Sequence, residues 1–214
     1  MSMTSERSVV FVVDDDPRVR DALTTLLASA GLEVAAFASA TAFLEADKPD
    51  APACLLLDLD LPDISGLELQ KELLERQAPP IVFLTGHGDI PSSVKAMKAG
   101  AVEFLSKPVG DDELLSAIDA AIALDRTARS QRAELSELKR RYERLTPRER
   151  EVLPYVVAGL ANKVTASELG TSVVTIAIHR GHIMRKMGAR SLAELVRLAD
   201  KLGIPSAMSG SGAP

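Results

Sequence analysis

The stretch LLLDLDLPD, Leu55 to Asp63, runs from three leucines into three carboxylates. An apolar run that turns acidic at its end is what a strand buried on both faces looks like where it leaves a parallel sheet. Four similar runs flank it: SVVFVVD (Ser8 to Asp14), LEVAAF (Leu32 to Phe37), PIVFLTG (Pro80 to Gly86) and AVEFLSK (Ala101 to Lys107), with ACLLLDL (Ala53 to Leu59) the third of five. Between them VRDALTTLLASAG, TAFLEAD, GLELQKELLER, PSSVKAMKAG and DDELLSAIDAAIA have helical spacing, closed by glycine or opened by proline, serine or aspartate. Five such βα units predict an α/β doubly wound, five-stranded parallel sheet. Ligands of such sheets bind outside the strand C-terminal ends, where the run of polarity changes collects Asp14, Asp15, Asp16, Asp58, Asp60, Thr85 and Lys107.

The chain has 214 residues, 46% of them apolar, enough for two domains. No basic segment leads into an apolar one and no long uncharged apolar run occurs, so a cytoplasmic protein without a membrane span is expected. Cys54 has no second cysteine to pair with and reads as a small core residue. Net charge is −5, unevenly spread: residues 1–124 carry 21 acids and 9 bases, 125–141 carry 3 and 6, and 142–214 carry 6 and 10. A basic rear segment behind an acidic front is the charge pattern of a nucleic-acid-binding domain.

From residue 111 to about 141 the helical pattern continues, and its charged second half predicts a solvated linker helix. Leu135, Leu138, Tyr142 and Leu145 recur at coiled-coil spacing for less than two heptads. The rear is helical throughout. Thr146, Pro147 and Glu149 form a capping-box start, and Ser191 with Glu194 another. NKVTASELG, a GTS turn and VVTIAIHRGHIMRKMG give helix, glycine-containing turn and basic helix, the layout of a helix-turn-helix. The expected division is 1–124, a helical linker 125–141, a helical domain 142–205 and a disordered tail 206–214.

Carboxylates, a hydroxyl and a lysine at one sheet edge suit phosphoryl chemistry: Mg²⁺ takes hard oxygen ligands, and a lysine and hydroxyl hold phosphoryl oxygens. VVDDDP, LLLDLDLPDISGLEL, LTGHGD, MKAGAVEFLSKPV and LTPREREVL…AGLANK…TIAIHRGHIMRKMGARS, in that order, resemble a two-component response regulator of the NarL/FixJ family, a receiver joined to a LuxR-type helix-turn-helix. The resemblance spans about residues 8–204. It implies a transcription regulator, of the activating kind, with Asp58 the phosphoacceptor served by a sensor histidine kinase. Asp14 and Asp15 would hold Mg²⁺ with Asp58 and the main-chain carbonyl of Asp60. Thr85 and Lys107 would bind phosphoryl oxygens, Lys107 preceding a cis-proline, and Phe104 would be the aromatic whose rotamer follows Thr85. Read alone, Phe104 is a core residue and Asp16 a helix cap.

The same likeness places DNA contacts at Thr175, Ala177, Ile178, His179, Arg180, Gly181 and Lys186, on a helix from about Val173 to Met187. It implies promoter DNA, a homodimer formed on phosphorylation or DNA binding, and RNA polymerase as partners. Four positions depart from the family pattern: Asp60, which predicts an unusual phosphoryl lifetime; Ala177 and Gly181, which leave small apolar surface where polar side chains are common; and Thr165, where isoleucine is usual and packing is expected to be loose. Other readings stay open. Asp58 and Asp60 with Thr85, Lys107 and Asp111 or Asp112 mimic the motif order of a haloacid-dehalogenase-type phosphatase. The chain could also bind DNA without phosphorylation, and His179 with His182, i and i+3 on one helix, could hold a metal.

Overall fold

The computed structural model describes residues 7–74, 76, 78–86 and 90–207; His87 and residues 208–214 of the expected tail lie outside them. Among the described residues the element order is β1(Val9–Val13), α1(Pro17–Ser29), β2(Glu33–Phe37), α2(Ala40–Glu45), β3(Ala53–Leu57), α3(Gly66–Leu73), β4(Ile81–Thr85), α4(Ile90–Lys98), β5(Glu103–Ser106) and α5(Asp111–Glu143), followed by α6(Pro147–Val157), α7(Asn162–Glu168), α8(Val173–Met187) and α9(Leu192–Lys201). By contact the chain divides into two compact units, Met1–Arg129 and Ser130–Pro214, at a point inside α5. No helix among the described residues is long and apolar enough to cross a membrane.

In the first unit the strands form one parallel sheet in the order β2-β1-β3-β4-β5. Alternation along the strands supplies two cores. Val9, Phe11, Val13, Ala53, Leu55, Leu57, Ile81 and Phe83 pack with residues of α2, α3 and α4 on one face. Val10, Val12, Cys54, Leu56, Val82 and Leu84 pack with α1 and α5 on the other. Every residue of β1, β3 and β4 is therefore buried, which is why their sequences run apolar without a break. Cys54 is among them, and burial pushes its thiol pKa far up. The reversal of strand order between β1 and β3 opens the crevice in which such sheets bind ligands.

Two ties fix the frame around that crevice. At the opposite end of β3, the buried Asp125 of α5 accepts the Ala53 N–H at 2.9 Å and Arg129 Nε at 2.8 Å. In the loop after β3, Asp63 accepts the backbone N–H groups of Ala40 and Thr41 and the Thr41 hydroxyl, capping α2 from outside its own sequence. Burial alone would raise the Asp63 pKa, but the bonds from the Thr41 hydroxyl and N–H outweigh it and hold the carboxyl well below the usual range.

The second unit is built on a core of Leu138, Leu145, Val152, Leu153, Val156, Ala166, Ile176, Ile183, Met187, Ala189 and Leu195. Most of residues 126–141 are exposed, as expected of a solvated linker helix, but Leu138 is buried and Tyr142 packs on this core, so these apolar returns late in α5 serve packing within the second unit. Thr146 and Glu149 form the full capping box. At α9 only half of the expected box forms, because Glu194 accepts from the Arg190 N–H and not from that of Ser191. Thr165 is fully buried, its hydroxyl turned back onto the Ala161 carbonyl at 3.3 Å.

Candidate functional site

The ends of β1, β3, β4 and β5 meet at one edge, and strand register decides which side chains share it. Val13 lies opposite Leu57, so Asp14 and Asp58 leave the sheet side by side. Thr85 lies opposite Ser106, and the Lys107 N–H donates to the Thr85 carbonyl at 2.8 Å. The Lys107–Pro108 peptide bond is cis. Lys107 Nζ reaches between two carboxylates, 2.5 Å from Asp14 Oδ2 and 3.1 Å from Asp58 Oδ2. Burial alone would lower the pKa of this ammonium, but the bonds to Asp14 and then Asp58 outweigh it and hold the group charged.

Both carboxylates are buried: Asp14 is 2% exposed and Asp58 8%. Each has its second oxygen held by the main chain, Asp14 Oδ1 by the Asp16 N–H at 3.0 Å and Asp58 Oδ1 by the Leu59 N–H at 2.7 Å. Asp15 is exposed, yet one oxygen each from Asp14, Asp15 and Asp58 lie within 4.8 Å of one another. Opposite ligands of an octahedral Mg²⁺ stand about 4.2 Å apart, twice the metal–oxygen bond. Three hard oxygen donors at nearly that spacing, with two charges in excess of the single lysine, fit a divalent cation. Neither Asp60, whose side chain is exposed, nor Asp111 or Asp112 belongs to this cluster. Thr85 is fully buried at the mouth of the same edge, and Phe104 is half-buried against Phe83, ring centroids 5.9 Å apart, at the margin of the first core.

Asp16 does not join the site. It caps α1, accepting the Arg18 N–H and guanidinium, and Arg18 lowers its pKa to about 2. Two neighbours of the site escape the sequence reading. Arg20 Nη1 donates to the carbonyls of Asp14 and Asp15 at 2.7 and 2.9 Å, fixing the loop that presents them. Gly66 sits so close to the end of β3 that a Cβ there would lie 2.4 Å from the Asp58 carbonyl oxygen and 3.0 Å from the Phe83 ring. Its only sequence signal is the glycine of ISG, four residues after a proline.

In the second unit α8 spans the residues expected to meet DNA. Ser172 caps it and Gly188 closes it in the left-handed conformation. Ala177, Ile178 and Gly181 face outward, whereas Thr175, Arg180 and Lys186 are engaged within the unit. Thr175 Oγ1 lies 2.8 Å from Ser172 Oγ, Arg180 Nη1 donates to the Leu160 carbonyl at 3.0 Å, and Lys186 Nζ lies 2.6 Å from Glu149 Oε2. His179 Nδ1 is buried without a hydrogen-bond partner among the described residues. His182 faces Glu149 at 3.5 Å, and the histidine pair belongs to no cluster of potential metal ligands among those residues.

Comparison with known proteins agrees with both units. Residues 10–119 match the family described as response regulator receiver domain, and residues 143–199 the bacterial regulatory proteins of the luxR family. Nodulation protein W of Bradyrhizobium diazoefficiens is 51% identical over 201 residues, covering 94% of this chain and 88% of that protein. The transcriptional regulatory protein FixJ of the same organism is 44% identical over 196 residues, covering 91% and 96%. Among solved structures the response regulator StyR superposes with a TM-score of 0.83 at 47% identity, covering 91% of this chain and 99% of that one.

Proposed function

The chain belongs to the two-component response regulators of the NarL/FixJ family, a receiver with a LuxR-type DNA-binding domain, and from that premise we propose that Asp58 is its phosphoacceptor. The observation that carries the assignment is Asp58 itself: a buried carboxylate at the sheet's switch point, oriented by the Leu59 N–H and reached by Lys107. In this reading a phosphohistidine of a sensor kinase supplies the phosphoryl group. An Asp58 oxygen forms the new O–P bond as the N–P bond breaks, and the departing imidazole keeps the electron pair.

Asp14, Asp15 and Asp58, with the main-chain carbonyl of Asp60, would hold Mg²⁺, which when bound offsets the negative charge gathered at this edge. Lys107 and Thr85 take the phosphoryl oxygens. The new group adds about −1.5 to −2 charges and three acceptor oxygens, enough to draw the Thr85 hydroxyl and the Lys107 ammonium toward it. Movement of Thr85 vacates space beside Phe104, whose ring then turns inward and changes the surface of α4 and β5. We assign the output to α8, which enters the major groove of promoter DNA as the second helix of the helix-turn-helix, in a homodimer formed on phosphorylation or DNA binding. Recruitment of RNA polymerase by the bound dimer makes the protein an activator.

Intact mass after incubation with acetyl phosphate and Mg²⁺ tests the assignment. The wild type gains one phosphoryl group and Asp58→Asn gains none; equal adducts on both place the acceptor elsewhere. Asp60 is exposed beside the site, and Asp60→Asn changes the half-life of the adduct if its charge acts on the hydrolytic water.

A further inference from the structure

α8 turns an apolar edge outward. Val174 is 69% exposed, Ile178 52% and Val173 46%, with Ala177 and Gly181 exposed beside them. Positions 174, 177, 178 and 181 recur at the three- and four-residue spacing that aligns side chains on one helix face. Nothing in the unit lies within 4 Å of a Cβ built at Gly181, so packing inside the protein does not demand a glycine there. Meanwhile Arg180, Lys186 and Thr175 are held by partners within the unit, leaving Arg185, in the last turn, as the exposed cation of the helix.

A major groove offers hydrogen-bonding edges at every base pair but only one apolar group, the 5-methyl of thymine. An outward edge of valine, alanine and isoleucine, with Arg180 and Lys186 tied back to Leu160 and Glu149, matches that group. We infer that Val174, Ala177 and Ile178 select the binding site by burying thymine methyl groups, with bare Gly181 admitting the groove edge to the helix backbone. The inference rests on the reading of α8 as the DNA-contacting helix. From 174 to 181 the helix rises about 10 Å, the length of about three base steps of 3.4 Å, so each half-site holds a short thymine-rich core.

The test uses the full chain, treated with acetyl phosphate and Mg²⁺, to select sites from a randomised duplex pool. Each thymine of the selected site is then replaced by deoxyuridine, which removes the methyl and leaves the hydrogen-bonding edge. Two or three positions per half-site should lose about fourfold in affinity each, the worth of one buried methyl. Ile178→Ala should abolish the uracil penalty at one of them, whereas Arg185→Ala should weaken thymine and uracil duplexes alike. Uracil tolerated throughout a recovered site overturns the methyl reading while the DNA-binding reading stands. Selection of no preferred sequence overturns it likewise, and failure to bind any duplex at low salt overturns both. Ile178→Ser that changes oligomeric state without changing DNA affinity shows the edge to be a contact between copies and overturns the inference.

Discussion

Among the described residues buried carboxylates pair with lysines at two places, Glu149 with Lys186 and Asp14 and Asp58 with Lys107, and the two arrangements differ in electrical balance. Glu149, 2% exposed, meets Lys186 at 2.6 Å, accepts the Thr146 N–H and has His182 nearby; one charge answers one charge, and the box it completes starts α6. At the sheet edge Lys107 faces Asp14 and Asp58 with Asp15 beside them, three carboxylates against one ammonium. The first arrangement is a part of the architecture. The second leaves two negative charges unanswered, and a shortage of positive charge held in a fixed frame suits a site for cations.

The contrast can be broken by experiment. The largest effect belongs to the completed pair: Glu149→Ala leaves Lys186 without its partner and the Thr146 N–H without its acceptor, costing the second unit about 3 kcal/mol. Hydrogen exchange on the full chain should show the loss in α6–α9, with protection of the sheet unchanged. Next comes Mg²⁺. At a hundredfold excess over its dissociation constant it should stabilise the first unit by about 2.7 kcal/mol, leave the second unaffected, and lose its effect in Asp14→Asn. An equal gain in both units would dissolve the comparison.

Acid distinguishes the pairs more gently. Burial alone would raise the Glu149 pKa, but the bonds from Lys186 and the Thr146 N–H overcome it and hold the carboxyl below its ordinary 4.5. A depressed folded-state pKa contributes stability above the unfolded value that is lost as pH falls through the folded one. The second unit should therefore weaken below about pH 4.5, and Glu149→Gln should flatten that acid limb. The smallest effect concerns Thr165, whose hydroxyl shares the Ala161 carbonyl with its own N–H. Thr165→Val leaves that carbonyl satisfied and should change stability by less than about 1 kcal/mol, in the stabilising direction.

What could be read in the sequence was whatever local pattern controls. Strands buried on both faces must run apolar, and the polar residue ending each run announces itself, so Asp14, Asp58, Thr85 and Lys107 were legible one strand at a time. Relations across the fold were not. Asp63 caps a helix 22 residues earlier, and Gly66 matters because of a carbonyl oxygen that only the folded loop brings near. Along α8 the sequence shows a basic helix, yet whether Arg180 and Lys186 point outward depends on Leu160 and Glu149, which belong to other segments. What Leu138 and Tyr142 pack against is hidden for the same reason: the core that covers them comes later in the chain.

The tie between Asp125 and the Ala53 N–H has a mechanical meaning. β3 carries Asp58 at one end and at the other is bolted to the helix that leaves the receiver, through a buried carboxylate already clamped by Arg129. A strand so braced is the stator of the device. Under the proposed phosphorylation of Asp58, the recoil is expected at the ends of β4 and β5, where Thr85 and Lys107 stand, and not along the anchored strand.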